Sequence, residues 1–201
     1  MDDMIQVLFI LGIKINQNQR SKTITLSQQL YIEKILKEFG MENCKTVTTS
    51  MDPGLKLVLS NKTNQDSNFS YQKAVGLLNY LTLCSRPDLA YATSVLSQYL
   101  DKPLSCHISA FKRILQYLQG TKNYELTLGG TSKNSEIIGY SDSDWGSNYD
   151  GRSFSGYGVL CGGLIIWKSK KQPIVALSTT EEELCALTEV TQDTLWIKKL
   201  L

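Results

Sequence analysis

Long apolar runs are missing from this sequence, and so is any strong imbalance of charge. No stretch approaches the roughly 20 apolar residues needed to cross a bilayer. The first residues do not show the charged-then-apolar order of a secretory signal. The expectation is an intracellular protein, cytoplasmic or nuclear, with no membrane partner. Lys and Arg total 21 against 19 Asp and Glu, a net charge of +2. There is therefore no global basic field of the kind that announces a polyanion binder. The 5 cysteines are odd in number and include no Cys-x-x-Cys pair, which points to reduced thiols rather than a disulfide framework. The one histidine, His107, follows Cys106 with no further ligand at zinc spacing, so a zinc site is not expected. What is present is ordinary globular material: 201 residues, 42% hydrophobic and 20% charged, enough for one domain or two small ones.

Taken in order, Val7 to Ile15 is rich in branched and aromatic residues and reads as a buried strand. Asn16 to Lys22 reads as a polar loop, and Thr23-Ile-Thr-Leu26 as the return strand of a hairpin. Ser27 is placed to cap a helix running through Phe39, closed by Gly40. Residues 40–70 are polar and turn-rich, an extended connection with Leu55-Lys-Leu57 touching something apolar. Three helices then follow by spacing: Tyr71 to Cys84, Pro87 to about Leu100, and Ser105 to Gln119, the last ended by Gly120. Lys112, Arg113 and Lys122 form a modest basic edge, read as a solvated helix face. From 121 the period changes. Glu125 to Leu128, Ile137 to Asp144, Phe154 to Cys161 and Leu164 to Trp167 read as short strands before a helix from Thr179. Trp167-Lys-Ser-Lys-Lys-Gln172 sets cations beside an aromatic, which suits a phosphate backbone or a charged edge strand equally.

The acids at the end of this region carry the candidate chemistry. Strand alternation puts Ile138, Tyr140, Asp142 and Asp144 on one face. Ser178 and Glu181 form a capping box, which gives Glu181 a structural role. Helical spacing aligns Glu182 with Ala186, Glu189 and Asp193, a face that reads as solvated. Glu183 aligns with Leu187, Val190, Thr194 and Ile197, which reads as the apolar face. A carboxylate there needs a partner or a metal. Asp142 and Glu183 are therefore the first candidates, with Asp144 behind them. On spacing alone Glu183 is equally a charge at the margin of the core.

Blocks covering nearly the whole chain resemble the Pol polyprotein of copia-type long-terminal-repeat retrotransposons, at the join of reverse transcriptase and ribonuclease H. They are Leu11-Gly-Ile-Lys-Ile15, Tyr71-Gln-Lys-Ala-Val-Gly76, Ser85-Arg-Pro-Asp-Leu-Ala-Tyr91, Leu115 to Thr121, Tyr140-Ser-Asp-Ser-Asp-Trp145, Arg152 to Tyr157, Trp167 to Gln172 and Glu181 to Leu187. The resemblance implies an α+β chain in two parts. Residues 1–122 would be the palm end of a reverse transcriptase, with an N-terminal β-hairpin and a helical thumb or connection-like block. Residues 123–201 would be the first part of a ribonuclease H-like domain, a truncated β-meander followed by one helix. It implies that Asp142 and Glu183 are ribonuclease H carboxylates and that Asp2 and Asp3 are the tail of a polymerase motif. It implies Mg²⁺ as cofactor and an RNA–DNA hybrid as substrate, with Lys168, Lys170, Lys171 and Arg152 as candidate nucleic-acid contacts. Ribonuclease H cleavage uses two metal ions about 3.5–4 Å apart, held by several carboxylates. On the resemblance, most of the palm and a third ribonuclease H aspartate have no counterpart here, and Phe154 stands where the family usually has threonine. The expectation is a Pol remnant that is inactive alone. The alternatives are a non-catalytic binding module for hybrid, and a hydrolase completed in trans by a homodimer or a full-length Pol partner.

Overall fold

Two antiparallel sheets flank a block of four helices, and a fifth helix covers the second sheet. The computed structural model describes residues 8–52, 55, 57, 69–130, 136–144 and 150–201. Asp2 and Asp3 lie outside the described residues.

The first sheet has the order β1-β2-β3-β4, formed by Phe9–Ile10, Ile13–Asn18, Thr23–Ser27 and Leu126–Gly129. The apolar run expected as one buried strand is broken into β1 and β2. Leu11 and Gly12, at φ 51° and 80°, make a two-residue turn, so that Ile10 pairs with Ile13. Leu8, Phe9, Ile10 and Leu11 stay exposed, because the split places β1 at the sheet edge. The Tyr80 hydroxyl donates to the Leu11 carbonyl and ties the turn to the helical block. The strand expected at Glu125–Leu128 joins this first sheet through β3 rather than the later meander.

Helix α1 spans Gln29–Glu38. Ser27 belongs to β3 and is buried, so the cap position falls to Gln28, whose side chain makes no capping bond and instead accepts from the Ser85 hydroxyl (2.7 Å). At the other end Gly40, at φ 64°, closes the helix with the paired bonds Met41 N–H to Leu36 O (2.8 Å) and Gly40 N–H to Lys37 O (3.1 Å). Helix α2, Tyr71–Cys84, has the expected bounds. Pro87–Leu89 is a 3₁₀ turn and α3 is Ala90–Ser97, shorter than the spacing suggested. Helix α4, Ser105–Thr121, runs through Gly120, over which the Thr46 side chain passes closely.

The four helices bury Ile35, Leu36, Leu78, Leu81, Leu96, Phe111, Ile114 and Leu118 in one core. Each such side chain contributes about 1.5–3 kcal/mol from burial. Leu57 and Met51, from the connection, pack on it. Arg86 is buried at the α2–α3 corner. Its guanidinium donates to the Asp88 carboxylate (2.7 and 2.9 Å) and to the Thr121 carbonyl (3.1 Å) and hydroxyl (2.7 Å). A buried charge is tolerated only when it is paired in this way.

The second sheet has the order β5-β6-β7, from Ile138–Asp144, Phe154–Leu160 and Leu164–Lys171. Helix α5, Thr179–Leu200, packs on one face. The other face meets the helical block. There the Trp167 indole donates to the Thr82 carbonyl (2.9 Å), and the Phe154 ring meets Tyr91 edge-on at 5.4 Å. Mixed helix and antiparallel strand agree with the expected α+β class. Among the described residues no helix is long and apolar enough to cross a membrane.

Candidate functional site

The parity of β5 decides where its acids point. A Cβ built on Gly139 would lie 2.8 Å from Val190 Cγ2 and 3.2 Å from Thr194 Oγ1, so the Gly139 side of the strand faces α5. Asp142 and Asp144 have the opposite parity. They line a cavity with Tyr91, Phe154 and Trp167, on the face turned to the helical block. The two aspartates share a face, as expected. The strand carrying them is not buried: Ile138, Tyr140, Asp142 and Asp144 are all exposed, because β5 is the edge strand among the described residues. Tyr91 sits near enough to Asp144 that burial first, and then that carboxylate, push its phenol up.

On α5 the reading of the helix faces holds only in part: Val190 and Ile197 are buried as expected, but the positions of the acids are not. Glu183 is exposed, together with Leu184 and Leu187. Glu182 is 2% exposed and turned to the sheet. Its carboxylate accepts from the Ser153 hydroxyl, and its carbonyl accepts from the Gln172 amide (3.0 Å). Glu189 and Asp193, expected to be solvated, face β7 as well. Glu189 pairs with Lys170 at 2.7 Å and Asp193 with Lys168 at 3.4 Å. Tyr157 also donates to Asp193 (2.7 Å). The Tyr157 hydroxyl and the Asp193 carboxylate hold the Lys168 ammonium above its ordinary pKa. The capping box is present with a shift: Ser178 Oγ accepts from the Glu181 N–H (3.2 Å), while the Glu181 carboxylate reaches the Leu177 N–H (2.7 Å).

The structure thus places Asp142 and Asp144 on one face of the sheet and the helix bearing Glu183 on the other. Among the described residues no three His, Cys, Asp or Glu side chains converge as a metal-holding group. The candidate nucleic-acid cations are engaged with acids of the same chain. Besides Lys168 and Lys170, Lys171 pairs with Asp150 at 2.7 Å and Arg152 with Asp150 at 3.8 Å. The Lys171 ammonium, bonded to Asp150, draws that carboxyl below its usual range.

Sequence reasoning passed over Glu182, and gave no role to Phe154 or to the Trp167 indole. The alternation of lysines along β7 was the available signal. Lys168 and Lys170 share a strand face, so the helix packing on that face had to bring acids.

No protein-family model and no solved structure matches the chain. Curated proteins do. The chain is 40% identical over 210 residues to the retrovirus-related Pol polyprotein from transposon TNT 1-94 of Nicotiana tabacum, covering 100% of this chain and 16% of that one. It is 38% identical over 203 residues to the Pol polyprotein from transposon RE1 of Arabidopsis thaliana, covering 99% of this chain and 13% of that one. It is also 48% identical over 134 residues to the secreted RxLR effector protein 161 of Plasmopara viticola, covering 65% of this chain and 92% of that one. The chain therefore spans less than a fifth of the polyproteins it matches.

Proposed function

We propose, for a chain that belongs to the retrovirus-related Pol polyproteins of copia-type transposons, that it is the segment joining the end of the reverse transcriptase palm to a ribonuclease H-like sheet and helix, and that in the described arrangement it does not itself cleave an RNA–DNA hybrid. The observation behind this reading is the separation of its acids. Asp142 and Asp144 face the helical block, whereas Glu183 stands exposed on α5, which packs on the opposite face. Two-metal hydrolysis needs several carboxylates converging on a pair of ions. The arrangement does not fit a Mg²⁺ pair.

The test is cleavage of a labelled hybrid by the purified chain in Mg²⁺, beside an Asp142→Asn and Glu183→Gln double variant. The expected result is no difference between the two. Cleavage by the wild-type chain that the double variant abolishes would overturn the proposal.

One observation favours a second reading, a hydrolase completed in trans. Strand β5 forms the edge of its sheet among the described residues, with one side open to pairing. On this reading, a partner chain carrying its own Asp142→Asn substitution would confer cleavage on this one.

A further inference from the structure

The face of the second sheet turned away from α5 holds a cavity of about 390 Å³ between the strands and the Pro87–Tyr91 corner. Asp142 and Asp144 stand on its rim. Tyr91, Phe154 and Trp167 form walls, and Trp167 is fixed there by its bond to Thr82. Gly156 lies directly opposite Asp142 in the strand pairing. A Cβ built on it meets nothing within 4 Å, so the missing side chain helps to open the space.

Among the described residues no Lys or Arg forms an ion pair with Asp142 or Asp144. Lys168 belongs to the opposite face of β7, beside Tyr157, where its ammonium meets Asp193 of α5, and Lys171 turns to Asp150 and Gln98. The remaining nearby acid, Asp88, is taken up by Arg86 and by the Tyr117 hydroxyl (2.8 Å). Residues i and i+2 of a strand are roughly 6.6–6.8 Å apart. That spacing suits two separate cationic groups better than one small hard ion, which needs six or more oxygens close around it. Aromatic walls suit the rest of such a ligand: rings attract an ammonium through their faces and pack against methylenes.

We propose that this cavity binds a linear aliphatic polyamine, with one ammonium on Asp142, a second on Asp144, and the methylene chain against Tyr91, Phe154 and Trp167. The site goes beyond the Pol reading and does not rest on it. It also accounts for two carboxylates that do not meet Glu183 at a metal.

The test is isothermal calorimetry of the full chain with putrescine, with n-butylamine as a one-charge probe of similar length. Putrescine is expected to bind at least about tenfold more tightly than butylamine, since only it reaches both acids. Asp142→Asn and Asp144→Asn are each expected to weaken putrescine about tenfold. Gly156→Leu, which fills the cavity, should abolish binding. Asp101→Asn, an exposed acid elsewhere, should leave binding unchanged. Thermal melts establish that each variant is folded, and the exposed Asp→Asn changes decide the matter if Gly156→Leu does not fold. The proposal is overturned if the wild-type chain shows no binding, if butylamine matches putrescine, or if the Asp142→Asn, Asp144→Asn double variant keeps its affinity.

Discussion

Glu182 and Glu183 are adjacent and chemically identical, yet one is buried against Ser153 and the other lies in water. Helical spacing could not separate them because α5 carries two apolar stripes. Ala186, Val190 and Ile197 face the sheet, while Leu184, Leu187 and Leu195 face outward. Leu187 falls in line with the buried Val190 and Ile197, so Glu183 beside it reads as facing the core. The sheet beneath offers Lys168, Lys170 and the bare backbone of Gly139, and such a floor accepts acids. Replacing Glu182 with Ala strips the buried Ser153 hydroxyl of this acceptor and is expected to cost about 1–3 kcal/mol in urea unfolding. Glu183→Gln should change stability by less than about 0.5 kcal/mol. Equal effects at the two positions would contradict the placement. A second residue-scale expectation concerns Asp150. Its carboxyl is held below the usual range chiefly by the Lys171 bond, so the tie is complete at neutral pH and is lost as pH falls through that lowered value. A carboxyl-carbon NMR titration should find Asp150 titrating low in the wild type, and higher in Lys171→Gln.

Elements were legible where a single local cause fixed them. Helix α2 has the predicted bounds, and Gly40 ends α1 because its left-handed backbone completes the paired terminal bonds. They were misread where a distant partner decided. Ser27 looks like a cap, but the β2–β3 pairing claims it, through Lys14. The apolar run from Leu8 onward looks like one strand, but its glycine folds it back on itself. Strand β4 follows the helical block in sequence yet pairs with β3, about a hundred residues earlier. No local pattern encodes such a partner. The seam between α5 and β5 is sensitive to size. Gly139→Val would drive methyl groups into Val190 and Thr194, and is expected to cost about 1–3 kcal/mol by overpacking. Gly139→Val matching the wild type in a denaturant melt would show that α5 packs elsewhere.

At the scale of the molecule, the contacts that join the helical block and the second sheet include the Trp167–Thr82 bond, the Tyr91–Phe154 ring pair and the Lys171–Gln98 bond. Phe154 thereby has a packing role at this junction. Trp167→Phe keeps the ring but loses the donor. It is expected to lower stability by about 1 kcal/mol and to speed amide exchange in β7 and α2 more than in α1. Which acids exist was readable from the sequence. Which of them meet was not, because that depends on the side of the sheet each layer covers. The measurement that tests this most directly is a Mg²⁺ titration of the isotopically labelled chain, followed at the backbone amides and carboxyl carbons of Asp142, Asp144 and Glu183. The described geometry predicts that Glu183 does not shift on a binding curve shared with the two aspartates. A single saturating curve common to all three would place them at one metal and contradict it.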